Sequence, residues 1–423
     1  MEYQYVILGG GIAGVTAAET IHEKVPTAKI AIVSEESEIL YSRVLLPSYL
    51  KKRIRREQLF LRHPADFTEK GIDVVMNERV ARIDNKHRDV IFENGVVIGY
   101  EKLLLSTGGR LKQWDVADNQ PWLYRLQTIE DADRLGSALD ENRIGNPAVA
   151  GSSFIALEFL EIFTIRRIPS VVVVRDKYFF GHFVEEQGGQ LLQDNFERHG
   201  IRVISNDMIA EVGAAPVSSD KDRKHAVALP LLKAVTRGLV EIPCDAVCLG
   251  IGIERPTAYL EGSGIERGEK GIRTDQYLQT NDPRVFAAGD AAEFLDVITG
   301  EHHVAGNWTN AVLQGKIAGL NMTGERREFR KAASYSITNL GLQITALGSS
   351  RTWDDAIVRV EWGKRQYERL FLKDGVAVGA FLINSFQDKT HLAQLIENRI
   401  SLDLWRQALS DMRFDIHQIP VVS

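Results

Sequence analysis

Three glycines near the start of the chain, Gly9, Gly11 and Gly14, stand in the spacing G-x-G-x-x-G between an apolar run, YQYVIL, and an amphipathic stretch that opens at Ile12 and Ala13. That pattern suits the binding of a dinucleotide. Gly9 allows a tight turn, Gly11 lets backbone approach a pyrophosphate, Gly14 lets helix pack closely on strand, and the helix N-terminus faces the phosphates. An acid at the end of the following strand completes such a site by accepting hydrogen bonds from a ribose. Glu35 stands 21 residues beyond Gly14, with Glu36 next to it. A second set of the same kind, Gly151, Ser153 and Ala156 followed by Glu158, begins about 140 residues later. Its middle glycine is replaced by a residue with a Cβ, which makes close approach of a pyrophosphate harder. The next strand ends in Val174 and Arg175 and offers no carboxylate to a ribose diol; an arginine there favours a 2′-phosphate. Read alone, Glu158 is an ordinary helix N-terminal charge stabilised by the dipole.

These residues need particular elements to place them. Tyr3 to Leu8 reads as a strand, Ile12 to His22 as a helix and Lys29 to Val33 as a second strand, which closes a βαβ unit. Ile72 to Ser106 reads as a meander of short strands broken by NE, DNK and ENG, ending in LLLSTGGR, a buried strand and a glycine turn. From Pro147 the strand, turn, helix and strand pattern repeats. Two copies so far apart indicate two nucleotide-binding units and not a solenoid, whose period is about 20 to 50 residues. Between Gly200 and Cys248 strands flank a polar insert, PVSSDKDRKHA, expected as an exposed loop. A buried strand from Cys244, the run VFAAGDAAEF and the helical stretch NWTNAVLQGKIAGLNMTG follow. From about Arg326 onward, alternating strands (YERLFL, VAVGAFLI) and a terminal helical region predict a separate α+β domain.

The 423 residues suffice for roughly two to four domains without disulfide or metal staples. Apolar residues at 44% and charged residues at 26% are globular usage and exclude disorder, collagen-like repeats and a coiled-coil rod. With 51 Lys and Arg against 57 Asp and Glu, the chain lacks the global basic field that nucleic acid would call for. No apolar run of membrane-spanning length and no signal peptide is visible, so the expected compartment is the cytoplasm. Cys244 and Cys248, the two cysteines, would lie about 13 Å apart on one strand, beyond the roughly 7 Å a disulfide allows. They are expected as core packing, and two cysteines cannot by themselves hold a four-cysteine zinc or an iron–sulfur cluster. His302 and His303 would face opposite ways on a strand, so no metal site is expected. The run LKKRIRREQLFLR carries Lys51, Lys52, Arg53, Arg55 and Arg56. It reads first as a solvated surface loop, and second as a patch that would steer an acidic carrier protein.

Taken together, the N-terminal unit, the string SEESEILYSRVLLPSYL, the turn STGG, the run TNDPRVFAAGD and the helix NWTNAVLQG resemble the FAD-dependent pyridine nucleotide-disulfide oxidoreductases of the glutathione reductase fold. The similarity spans Met1 to Gly324 and is nearest the branch of rubredoxin reductase, nitrite reductase flavoprotein and apoptosis-inducing factor. It implies an α/β architecture of two doubly wound, Rossmann-like domains for FAD and NAD(P), the second inserted in the first, plus a C-terminal α+β domain. The implied boundaries are 1–112 and 243–325 for FAD, 113–242 for NAD(P) and 326–423 for the last domain.

The resemblance implies that Gly9, Gly11, Ile12, Ala13 and Gly14 hold the FAD pyrophosphate, Glu35 and Glu36 the adenosine ribose, and the backbone of Val80 the adenine. Arg43 matches the family's arginine eight residues past the acid. Thr107 and Gly108 lie in the STGG turn, Gly289 and Asp290 match the AAGD turn at the ribityl and phosphate region, and Asn307, Trp308 and Ala311 lie beside the isoalloxazine. Gly151, Ser153 and Arg175 would receive NADH or NADPH. Glu158 resembles the glutamate near flavin and nicotinamide and is the residue expected to act in catalysis. Two departures stand out. Gln127 replaces an arginine that reaches the cofactor, and Arg125, on the same strand face, would substitute for it. Ser48 stands where reductases of oxygenase systems have a lysine, five residues past the motif arginine.

The activity implied is an NAD(P)H oxidoreductase that passes electrons through non-covalently bound FAD to a rubredoxin-like or ferredoxin-like protein or another acceptor. No C-x4-C follows the first glycine motif, so a dithiol relay is excluded. An NAD(P)H oxidase using oxygen, and a flavin-binding structural or signalling subunit with a degenerate nicotinamide site, are the alternatives. A homo-oligomer is compatible with the sequence.

Overall fold

The computed structural model describes residues 1–38, 40–214 and 232–422; the polar insert PVSSDKDRKHA lies outside them. The first strand, Glu2–Leu8, buries Val6, Ile7 and Leu8 and pairs in parallel with Ile30–Val33 on one side and Val97–Leu105 on the other. Ile72–Val75 extends the sheet beyond Ile30–Val33, and Val285–Ala287 adds to Val97–Leu105, also in parallel. A strand from residue 285 thus completes a sheet begun at residue 2, and the second nucleotide unit is threaded between them. The predicted meander is divided: Ile72–Val75 joins the parallel sheet, and only Val80–Asp84, Asp89–Phe92 and Val97–Leu105 run antiparallel.

The second sheet orders Arg202–Ile204, Val171–Val173, Pro147–Ala150, Ala246–Leu249 and Leu123–Tyr124, all in parallel. Strands covered on both faces must be apolar throughout, and PAVA, VVV and AVCL are. The last part of the chain forms a five-stranded antiparallel sheet from Ser334–Asn339 to Val376–Ile383. Along its strands Tyr367, Phe371 and Phe381 pack into the core of the second nucleotide unit. Leu370, Leu372 and Leu382 pack on the C-terminal helix Lys389–Glu397. This period-two alternation docks the sheet on its neighbour.

Two helices meet backbone to backbone. On Trp308–Met322 a Cβ at Gly315 would overlap the Ala13 carbonyl, and one at Gly319 would stand 2.9 Å from that of Ala17. Glycines four apart therefore seat this helix on the first glycine helix, Ile12–Lys24, and bring Trp308 to the same end as Gly11.

The cysteines are buried but occupy different strands, Glu241–Cys244 and Ala246–Leu249, and not one. The break falls at Asp245, whose carboxylate accepts the N–H groups of Gly145 (2.8 Å) and Asn146 (2.9 Å). Burial pushes the Cys244 thiol up to about 11 and raises that of Cys248 well above its ordinary value.

Candidate functional site

The first glycine turn separates two demands. Gly9 has φ +114°, and a side chain there would overlap the Ser106 carbonyl; a Cβ at Gly14 would overlap the carbonyl of Gly9. Both glycines are required by packing. Gly11 is different: a Cβ there meets nothing within 4 Å, and φ −74°, ψ −179° is open to any residue. Gly11 caps the first glycine helix without a side-chain hydrogen bond, so the leading N–H groups are free for an anion. The space in front of them is a cradle that a side chain would fill. A dinucleotide pyrophosphate fits it.

The two acids after Ile30–Val33 differ. Glu35 is largely exposed, with Arg79 Nε 3.2 Å away, and is available to a ribose. Glu36 accepts the Tyr41 hydroxyl at 2.8 Å and pairs with Arg43. Arg43 also donates to the carbonyl of Gln127. Gln127 in turn donates to the carbonyl of Gly109, beside the turn of Thr107 and Gly108. Arg125 is turned away to Asp118 at 2.7 Å. The strand ends at Tyr124, so the strand face that Arg125 and Gln127 were expected to share is absent. Thr107 Oγ1 lies 3.0 Å from the hydroxyl of Tyr259, which burial pushes up to about 12. Val80 opens its strand at a register shift opposite Phe92, packed on the core that also holds Tyr259.

On the opposite wall Gly289, with φ +72°, donates its N–H to Gln314 Oε1 at 2.8 Å, and a Cβ there would stand 3.0 Å from that of Ala13 and 3.7 Å from that of Ala311. The AAGD turn therefore abuts the start of the first glycine helix. Burial raises the Asp290 carboxyl, against the lowering pull of Arg255 and Arg43. Arg255 donates to the Asp290 carbonyl. Asn307 is spent on capping its helix, accepting the Asn310 N–H at 2.8 Å, while Trp308 is half-buried in the first unit's core.

The second turn repeats the first with one exchange. Gly151 has φ +112°, close to Gly9, and a Cβ there would overlap the Gly250 carbonyl. Ala156 carries a methyl where Gly14 has none, and room for it comes from Gly250, whose own Cβ would lie 2.6 Å from that methyl. The glycine needed for close packing has moved to the neighbouring strand. Ser153 is the real change: its hydroxyl accepts the Ala156 N–H at 3.2 Å and so occupies one of the donors a phosphate would use. Gly250→Ala is expected to lower stability by about 1–3 kcal/mol in urea unfolding. Adding Ala156→Gly should recover only part, because the Ala156 backbone also lies within 2.9 Å of the new methyl. Beyond Val171–Val173, Arg175 is 77% exposed.

The basic run departs most from expectation. Lys51 is not solvated: its side chain is 3% exposed, and its ammonium lies 2.6 Å from Glu158 Oε2 and also pairs with Glu161. Arg56 is held by Asp133 (3.0 Å) and Glu38 (3.2 Å), and Lys52 by Asp140 (2.9 Å). Lys51 stands three residues past Ser48, directly after the short helix Leu46–Leu50. Glu161 and Lys51 escaped the site reading. The signal was present in FIALEFLEIF, where two carboxylates three apart on an otherwise apolar helix call for a buried cation.

His302 and His303 lie on Glu301–His303, His302 against the Thr274 carbonyl (3.1 Å) and His303 3.7 Å from Asp296. Among the described residues no group of three or more His, Cys, Asp or Glu side chains is placed to hold a metal ion, and no helix is long and apolar enough to cross a membrane.

Residues 3–315 match the family described as pyridine nucleotide-disulphide oxidoreductase. The chain is 26% identical over 351 residues to an NADH oxidase of Methanocaldococcus jannaschii, covering 81% of this chain and 75% of that protein. It is 26% identical over 386 residues to apoptosis-inducing factor 3 of Mus musculus, covering 90% of this chain but 60% of that longer protein. Among solved structures, the ferredoxin reductase for the CYP199A2 system from Rhodopseudomonas palustris superposes with a TM-score of 0.86 at 22% identity, over 98% of this chain and 99% of the other.

Proposed function

Since the chain belongs to the pyridine nucleotide-disulphide oxidoreductase family, we propose that it is an FAD-dependent NAD(P)H oxidoreductase whose electrons go to a small redox protein. The observation that carries this reading is the open cradle at Gly11, set between two glycines fixed by packing. Bound FAD supplies a centre that takes up a hydride and releases electrons singly.

The chain's own residues hold the partners. The N–H groups at the start of the first glycine helix receive the pyrophosphate, and Glu35 the ribose. Arg43, fixed by Glu36, and Arg255 set the charge around Asp290. Lys51 and Glu158 stand where the second glycine helix meets the first unit. Tyr335, from the C-terminal sheet, lies 4.6 Å centroid to centroid from Phe154, the first residue of that helix, and Phe180 covers Phe154 at 4.8 Å. Burial and the nearby Glu158 raise the Tyr335 hydroxyl, so it stays protonated and uncharged beside that carboxylate. These rings cover the start of the helix that carries Glu158. The cysteines of this chain, enclosed and protonated, form no redox pair, so electrons leave without a thiol relay.

Two features support an acidic protein as acceptor: the ferredoxin reductase fold, and an open cleft of about 650 Å³ lined by Lys52, Arg53, Arg55, Arg56 and Arg166 with fewer acids. The relative named NADH oxidase favours a second reading, oxygen as acceptor. Anaerobic stopped-flow mixing with NADH and NADPH tests the enzyme. Bleaching of the flavin is expected; no bleaching with either, while dithionite still bleaches it, would leave only a flavin-binding subunit. Carrier reduction measured beside oxygen consumption then separates the acceptors.

We take Arg175, exposed beyond the strand of the second turn, as the residue that would meet a 2′-phosphate. Arg175→Ala is expected to lower kcat/KM for NADPH by about 10- to 100-fold, the worth of one charge-assisted hydrogen bond, with NADH little changed. Equal losses for both nucleotides would refute the assignment.

A further inference from the structure

Glu161 lies one turn beyond Glu158 on the second glycine helix and has no part in the mechanism above. It is buried, as is Glu158, and the two share the Lys51 ammonium. Its other oxygen, Oε1, accepts the backbone N–H of Leu340 at 3.3 Å. Leu340 is the tip of the hairpin between Ser334–Asn339 and Leu342–Gly348, with φ +51° followed by Gly341 at φ +71°. The Leu340 carbonyl accepts Asn195 Nδ2 at 3.1 Å, so a residue in a conformation that favours glycine is pinned at both backbone groups. One carboxylate therefore joins Lys51 of the first nucleotide unit, the helix of the second and the tip of the C-terminal sheet.

The charge at this junction does not balance. One ammonium faces two carboxylates, and among the described residues the one further cation within salt-bridge reach, Arg53, is 3.9 Å from Glu161 Oε1 on a side chain more than half exposed. Arg53 is screened by solvent and compensates only in part.

We infer that Glu161 is a positioning residue for the flavin chemistry: it holds Lys51 against Glu158 at the seam of the three units and keeps an excess negative charge there. The inference rests on the proposed function and on the resemblance of Glu158 to the family glutamate near flavin and nicotinamide. A negative charge nearby disfavours a state that gains negative charge, so the excess makes the flavin harder to reduce.

Two variants predict shifts of opposite sign. Glu161→Gln keeps the shape and an oxygen for Leu340 while removing one negative charge. Arg53→Gln removes the partial compensation from a surface residue and should fold in any case. Equilibrium reduction by dithionite against a reference dye needs no nicotinamide. The ratio of reduced to oxidised flavin at a fixed poise should rise about three- to tenfold in Glu161→Gln and fall in Arg53→Gln. In stopped flow, Glu161→Gln should change the limiting rate of reduction by NADH more than its KM. Unchanged ratios in both variants, or shifts of the same sign, would overturn the role of Glu161. Failure of NADH and NADPH to bleach the unaltered protein would instead count against the proposed function, since the dye titration stands without them.

Discussion

Gly11→Val is expected to give a folded protein that comes out colourless. A Cβ at Gly11 meets nothing within 4 Å, and the extended backbone there suits a β-branched residue, so the apo chain should unfold within about 1 kcal/mol of the parent. The valine would nevertheless fill the space through which a pyrophosphate must reach the helix N–H groups. Flavin affinity should fall at least about 100-fold, or roughly 3 kcal/mol. Absorbance after purification in added FAD measures this, with circular dichroism as the control for folding. Gly9→Ala is the contrast: at φ +114° and against the Ser106 carbonyl it should fail to fold. A yellow Gly11→Val would mean that the dinucleotide does not lie along this turn.

Lys51→Met is expected to cost about 3–5 kcal/mol, because it leaves two buried carboxylates without their cation. Its neighbour Lys52 belongs to the same run but is 64% exposed, and its pair with Asp140 is worth about 0–1 kcal/mol. Lys52→Met should therefore unfold almost as the parent does. Urea denaturation of the two variants side by side distinguishes the positions, and equal midpoints would show that Lys51 is not the buried cation described. The flavin of any folded Lys51→Met should also be reduced more slowly by NADH.

What the sequence disclosed follows the range of the forces involved. The first glycine turn was legible because its three requirements and its acid lie within one βαβ unit, and local spacing fixes the geometry. The second turn was harder to read for a nonlocal reason. The space for Ala156 comes from Gly250, a strand end far along the chain, and no spacing rule near Gly151 points there. Lys51 was hidden because a run of like charges carries no period, so nothing in KKRIRR singles out the one residue that turns inward. The face expected for Arg125 and Gln127 is lost because the strand stops one residue before Arg125, and face-sharing ends with the strand. The docking of the C-terminal sheet was partly visible, since its strands alternate, but with apolar residues at both sets of positions the pattern could not say which neighbour each face meets.

The seclusion of Cys244 and Cys248 has a practical side. With both sulfurs enclosed and neither ionised in neutral buffer, thiol-directed dyes should leave the native enzyme unlabelled. A single cysteine introduced at an exposed site such as Arg55 would then be the sole attachment point for a fluorophore, and the arrival of a carrier at the basic cleft could be timed from its quenching.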